Sequence, residues 1–368
     1  MKELVQEILH PAGIVINGTN SYDLQIRDER VFRRILREGS LGFGEAYMDG
    51  WWECERLDEF FCRIMPCEPE QRLRKNPKLI AYLLKSRLLN AGSKAKAFTV
   101  GERHYDRGNE LYRHMLDRRM VYSCAYWKDA QTLDDAQEAK LDLICRKIGL
   151  QEGDRVLDIG CGWGSFARYA AERYGVHVVG ITVSREQAEL GRELCSGLPI
   201  EIRLQDYREV KEVFDHIVSV GMFEHVGYKN YRTYMEVVHR CLKEEGLFLL
   251  HTIGRNSSQV ATDQWIDKYI FPNSLVPSMK QISAAAERLF VIEDWHNFGH
   301  YYDPTLMAWF GNFDSNWDKL KKQYDERFYR MWKYYLLSCA GSFRARYLQV
   351  WQIVFSKKGV PGGYQPVR

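Results

Sequence analysis

One stretch restricts the fold more than any other: Val156-Leu-Asp-Ile-Gly-Cys-Gly-Trp-Gly164. An apolar run, Arg155–Ile159, ends in three alternating glycines, and a helical pattern over Ser165–Tyr174 follows at once. A strand that stops at a glycine turn and opens a helix is the first half of a parallel strand–helix–strand unit. The pattern continues downstream. Strands are predicted at Val176–Ile181, Ile200–Leu204, Phe214–Val220 and Leu247–Ile253, with helices at Ser184–Cys195 and Tyr231–Leu242. Such alternation predicts an α/β fold with a doubly wound sheet covered on both faces. Two later runs, Leu289–Asp294 and Tyr347–Phe355, predict an antiparallel pair at the sheet edge. Between them Pro304–Ala340 reads as helical and very aromatic.

The turn separates two cofactor classes. A dinucleotide site needs Gly-x-Gly-x-x-Gly; counted from Gly160, the last glycine would fall on Ser165. The pattern present is Asp-x-Gly-x-Gly-x-Gly, which resembles the first motif of S-adenosylmethionine methyltransferases. Gly160, Gly162 and Gly164 let the backbone approach the ligand. Asp158 can accept hydrogen bonds near the cationic amino-acid end of the cofactor. The second strand ends without the acid that often binds the ribose, so Thr182 and Gln187 are the candidates there. After the third strand, Gln205, Asp206 and Tyr207 are placed for the adenine, Asp206 as an acceptor and Tyr207 as a packing face.

Ahead of this domain the composition changes. Residues 71–100 hold eight Lys or Arg and no Asp or Glu, with Leu73, Ile80, Leu84 and Leu88 at helical spacing. A basic amphipathic helix of this kind can lie on an anionic membrane surface or pack on its own domain. The small and polar residues that follow read as a linker over 91–102. The expected organisation is a small α-rich amino-terminal domain over 1–90 and a catalytic domain over 103–368. No apolar run reaches the length of a membrane span, and the first residues do not resemble a secretory signal, so a cytoplasmic protein is expected. Nine cysteines without metal-ligand spacing predict neither a zinc site nor a disulfide framework.

Several segments, taken in order, carry a family resemblance. They include Leu41-Gly-Phe-Gly-Glu-Ala-Tyr-Met-Asp-Gly-Trp-Trp52, His104-Tyr-Asp106, Tyr122-Ser-Cys-Ala-Tyr-Trp127 and Val218-Ser-Val-Gly-Met-Phe-Glu-His-Val-Gly227. His251-Thr-Ile-Gly254, Trp265–Asn273, Glu293–Phe298, Tyr302 and Cys339–Arg346 follow. Together they resemble the cyclopropane-fatty-acyl-phospholipid synthases over nearly the whole chain. Arg107 departs from the pattern, standing where an apolar residue is common. The resemblance implies a class I S-adenosylmethionine methyltransferase with a Rossmann-like sheet. It also implies a substrate of unsaturated acyl chains in membrane phospholipid, peripheral contact with the inner face of a bacterial membrane, and a homodimer. The amino-terminal domain favours phospholipid over a carrier-bound acyl chain.

The implied reaction methylates a cis double bond, leaves a carbocation on the acyl chain and closes a ring once the new methyl loses a proton. It needs an apolar channel, aromatic faces and a base. Tyr301, Tyr302, Trp309, Phe310 and Phe313 supply aromatic faces, which serve equally as channel or core packing. By resemblance the base is a bound bicarbonate ion, cradled by Cys124, Glu224, His251, the backbone of Ile253, and Tyr302. His251 and Tyr302 can donate to the anion, whereas an ionised Glu224 must accept from its protonated oxygen. Cys339 matches a pocket residue of the family, and Tyr122 and Ser123 match cofactor contacts. A methyl-branching lipid methyltransferase and a non-catalytic lipid-binding protein are the rival readings. A nucleic-acid enzyme would want its basic residues and stacking aromatics beside the cofactor; here the basic run is far from the glycine turn.

Overall fold

The computed structural model describes residues 1–69 and 108–368. The basic stretch 71–100, the linker 91–102, the expected domain start at 103, His104-Tyr-Asp106 and Arg107 lie outside the described residues. The chain divides into two compact units. One comprises Met1–Met115, Thr262–Asn273 and Leu306–Tyr347; the other comprises Leu116–Ala261, Ser274–Thr305 and Leu348–Arg368. The first unit thus extends beyond residues 1–90, drawing in two segments from late in the chain.

Packing inside the first unit explains why those segments belong to it. Its helices include Lys2–Leu9, Arg30–Met48, Leu57–Ile64, Gln264–Tyr269 and Glu326–Arg344, and a short antiparallel pair joins β1 (Gln25–Ile26) to β2 (Trp52–Glu53). Phe43 stacks on the fully buried Trp52 with ring centroids 4.3 Å apart. A Cβ on Gly44 would lie 2.4 Å from the Trp265 indole, so only glycine admits that ring. Arg344 reaches Asp58 at 2.6 Å, and Arg56 reaches the same carboxylate at 2.8 Å. Burial alone would raise this carboxyl, but the two guanidinium bonds hold it at about 2.

The helix Glu326–Arg344 approaches Leu57–Ile64 through Gly341, where a Cβ would sit 2.3 Å from the Asp58 carbonyl oxygen. Backbone cannot yield as a flexible side chain can. Gly341→Ala should therefore destabilise the first unit by about 3 kcal/mol, the upper range for overpacking. A melting temperature equal to the wild type's would show that the two helices can separate without loss.

The second unit holds seven strands: β3 (Arg155–Ile159), β4 (His177–Thr182), β5 (Ile200–Leu204), β6 (His216–Val220), β7 (Leu247–Arg255), β8 (Val291–Asn297) and β9 (Leu348–Ser356). Their order is β5-β4-β3-β6-β7-β9-β8. The first five are parallel, and β9 runs antiparallel to both β7 and β8. The predicted alternation and the late antiparallel pair are both present. Alternate residues of β3 feed two cores. Val156 packs with Ile144 and Phe166 on one face, and Leu157 and Ile159 pack with Tyr234, Met235 and Val238 on the other. Boundaries shift slightly. Phe214 forms only an isolated bridge to Leu242, and Leu289 and Phe290 precede β8 while still packing on the core. Among the described residues no helix is long and apolar enough to cross a membrane.

Candidate active site

Between β3 and β6 the chain order reverses, and ligands of such sheets bind there, beyond the carboxyl ends of the strands. The glycine turn sits at that point. Gly160, Gly162 and Gly164 take φ of +84°, +54° and +78°, a region that residues with a Cβ rarely adopt. A Cβ on Gly160 would lie 2.6 Å from the Cβ of Met222, so the turn packs closely on the loop after β6. A Cβ on Gly162 would meet no atom of the described residues within 4 Å. The turn is therefore closed at Gly160 and open at Gly162.

Asp158 shares the β3 face of Val156 and is 2% exposed. Burial pushes its carboxyl up to about 7, while the Lys140 ammonium draws it down. Lys140 is itself buried in the helix Leu133–Lys147, where burial lowers it to about 8. Its Nζ donates to Ser123 Oγ at 2.9 Å, and Gln137 Nε2 donates to the Ser123 carbonyl at 2.9 Å. Ser123 is thus held through both side chain and backbone, with Tyr122 half-buried beside it. At the end of β4 the Thr182 hydroxyl donates to Gln187 Oε1 at 2.8 Å, and the Gln205 N–H donates to the Thr182 carbonyl at 3.0 Å. These three candidates share one corner. Asp206 and Tyr207 carry local structural duties. The Asp206 carboxylate accepts from the Arg208 N–H at 2.9 Å and from its guanidinium at 2.8 and 2.7 Å. Tyr207 is buried in the core, its ring 5.1 Å from that of Tyr234.

The second cluster lies at the same edge. Glu224 follows β6, and His251 and Ile253 occupy the carboxyl half of β7. Asn297, the last residue of β8, and Thr252 both lie opposite Trp351 of β9, so Phe298–Tyr302 emerges level with Ile253. Glu224 is 5% exposed. Its Oε1 accepts the Ile253 N–H at 2.7 Å, and its Oε2 is buried without a partner among the described residues. Burial pushes this carboxyl up to about 7, against the Ile253 bond that lowers it. The Ile253 backbone, expected in the cradle, thus engages Glu224 through its N–H, and its carbonyl accepts from the Thr252 hydroxyl at 3.0 Å. Burial carries His251 well below the ordinary imidazole value, and so it is neutral near pH 7. Its Nδ1 lies 3.4 Å from Gln352 Nε2, a residue directly opposite in register.

Aromatic rings join these pieces. Phe298 lies 5.5 Å from the His251 ring and 5.9 Å from Tyr126, and Tyr126 lies 5.4 Å from Tyr301. Cys124 is fully buried, and burial raises its thiol strongly. Tyr302 is 8% exposed at the start of the helix Tyr302–Ser315. Cys339 lies in the first unit on Glu326–Arg344, where burial raises its thiol to about 12. Four supporting residues escaped the sequence reading: Gln137, Lys140, Thr305 and Gln352. All are buried and polar. Gln137 and Lys140 fall three residues apart on the buried side of one helix, a pattern that can be sought in sequence.

Residues 92–353 match the family model described as mycolic acid cyclopropane synthetase. A cyclopropane-fatty-acyl-phospholipid synthase of Escherichia coli strain K12 is 53% identical over 99% of this chain and 95% of that protein. The tuberculostearic acid methyltransferase UfaA1 of Mycobacterium tuberculosis is 34% identical over 91% of this chain and 83% of that protein. Among solved structures, the mycolic acid cyclopropane synthase CmaA1 complexed with SAH and CTAB superposes with a TM-score of 0.65 at 33% identity, covering 69% of this chain and 96% of that one. A glycine turn at the switch point, a second cluster level with it and a match along nearly the full length lead to one conclusion: this chain is an S-adenosylmethionine-dependent methyltransferase and belongs to the cyclopropane-fatty-acyl-phospholipid synthase family.

Proposed function

We propose that the protein transfers a methylene group from S-adenosylmethionine to the cis double bond of unsaturated acyl chains in membrane phospholipids, with bound bicarbonate as the proton acceptor. The observation that carries the chemistry is the Glu224 carboxylate, buried, with one oxygen fixed by Ile253 and the other without a hydrogen-bond partner among the described residues. An unpaired buried acceptor is costly unless a ligand satisfies it. A bicarbonate hydroxyl fits that oxygen, and the neutral His251, the Tyr302 hydroxyl and the Cys124 thiol, which also reaches the Ala125 carbonyl at 3.3 Å, are the groups that would donate to its other oxygens. Bicarbonate would supply a small base able to take a proton from a methyl group in a crowded apolar channel. S-adenosylmethionine supplies an already activated methyl.

The residues divide the remaining work. Gly160, Gly162 and Gly164 bring the backbone to the cofactor, Asp158 with Tyr122, Ser123, Thr182, Gln187 and Gln205 positions its polar groups, and Asp206 and Tyr207 are assigned to the adenine. Glu224 orients the anion, since an ionised carboxylate accepts only from a protonated oxygen. Cys339 is assigned to the acyl pocket. The phospholipid acceptor is supported by the match to the Escherichia coli synthase, which covers 99% of this chain and so extends ahead of residues 92–353, the part that the family model matches. The basic stretch 71–100 is the proposed membrane contact.

Mass spectrometry tests this reading. Purified protein, methyl-labelled S-adenosylmethionine and bicarbonate are incubated with vesicles of unsaturated anionic phospholipid. The expected product gains one CH2, loses its double bond and coelutes with a cyclopropane standard. The protein should sediment with the same vesicles at low salt and be released at high salt, as polybasic contact requires. A labelled product that keeps its double bond would instead make this a methyl-branching enzyme.

A further inference from the structure

We infer that Thr305 is a positioning residue that locks Cys124 and Tyr302 into the anion cradle; this rests on the bicarbonate reading above. Thr305 is fully buried. Its Oγ1 accepts the Ala125 N–H at 3.2 Å and the Trp127 indole N–H at 2.9 Å, and donates to the Tyr301 carbonyl at 2.7 Å. A hydroxyl has one donor and two acceptor sites, so all three are used. The bond to Tyr301 spans four residues and is an ordinary helical back-bond. The other two are not local: they reach 180 and 178 residues back along the chain.

The placement of those partners is what matters. Ala125 adjoins Cys124, and Tyr301 adjoins Tyr302. One oxygen thus ties the two segments that bring a thiol and a phenol to the cluster. The Tyr126 ring packs edge-on to Tyr301 at 5.4 Å, a second tie that is apolar and less directional. Glu224, His251 and Ile253 are set by the strand ends and do not depend on this hydroxyl. Cys124 and Tyr302 lie on irregular chain and at a helix start, where the sheet supplies no register.

The test uses Thr305→Val, which keeps the shape and removes the hydroxyl, and Thr305→Ser, which keeps the hydroxyl. In Thr305→Val, kcat should fall ~30-fold, within the loss expected for an ~1 Å misplacement. Half-saturating bicarbonate should rise ~10-fold, while the Kd for S-adenosylmethionine stays within about twofold, since the cofactor turn is untouched. Amide exchange in the segment 121–128 of the ligand-free protein should speed ~10-fold, because the Ala125 N–H has lost its acceptor. Thr305→Ser should restore all three values. Should Thr305→Val fail to fold, Trp127→Phe removes one of the bonds and should move bicarbonate saturation and exchange in the same direction. Wild-type exchange in the valine variant overturns the clamp. Faster exchange with unchanged bicarbonate saturation overturns its role in the cradle. Wild-type turnover that ignores bicarbonate overturns the anion reading instead, and exchange then still decides whether the clamp exists.

Discussion

Glu224→Gln should retain S-adenosylmethionine binding and lose about 10³-fold in kcat, within the range for removing a group that controls proton transfer. The amide keeps the size of the carboxylate, and its oxygen can still accept the Ile253 N–H. What changes is the other atom. In the wild type Oε2 is a buried acceptor without a partner among the described residues; in the variant an NH2 stands there. A bicarbonate hydroxyl that donated to Oε2 now faces another donor. The anion is expelled or turned, and the proton of the new methyl loses its acceptor. Full turnover in this variant would remove Glu224 from the chemistry.

The same substitution has a thermodynamic signature independent of substrate. Burial raises the Glu224 carboxyl from 4.5 to about 7, so the folded protein holds this proton more tightly than the unfolded chain does. Its contribution to stability is then full below about pH 4.5 and lost as pH rises through about 7. The swing is on the order of 3 kcal/mol. In the ligand-free wild type, melting temperature should fall between pH 5 and pH 8 more steeply than in Glu224→Gln. Parallel curves for the two proteins would mean that Glu224 is already ionised when folded.

The legible part of the molecule was the part whose rules are local. The strand Arg155–Ile159, the helix Ser165–Tyr174 and the glycines between them obey short-range geometry, and the structure places all three as read. The supporting residues were not legible because their partners are distant. Gln352 looks like any residue of a strand until the register sets it opposite His251, 101 positions away. Thr305 lies in an aromatic helix, and nothing nearby in sequence announces the indole and amide it accepts from. Asp206 and Tyr207 illustrate a further point. Both suit an adenine pocket by type and position, and the structure adds that the carboxylate also caps its own turn and the ring also packs on the core. Residue type states what a side chain can do; tertiary packing decides which option it uses.

Within the glycine turn, two neighbours should fail in different ways. At Gly162 a Cβ meets nothing among the described residues within 4 Å, so Gly162→Ala carries the strain of φ +54°, about 1 kcal/mol. That open space lies beyond the carboxyl end of β3, where the cofactor is proposed to bind. A methyl projecting into it should weaken S-adenosylmethionine binding by 10- to 100-fold, the equivalent of about 1–3 kcal/mol of overpacking. At Gly160 the Cβ would collide with Met222 at 2.6 Å, at its own Cβ rather than at a flexible tip. Gly160→Ala must therefore displace the loop after β6, which leads into Glu224 two residues later. It should lower the melting temperature as well as cofactor affinity, and turnover should fall further than affinity explains. Calorimetric titration with S-adenosylmethionine and thermal unfolding separate the two cases. Wild-type affinity in Gly162→Ala would mean that the cofactor does not approach this face of the turn. Equal stability losses in the two variants would mean that strain, and not contact with Met222, governs the turn.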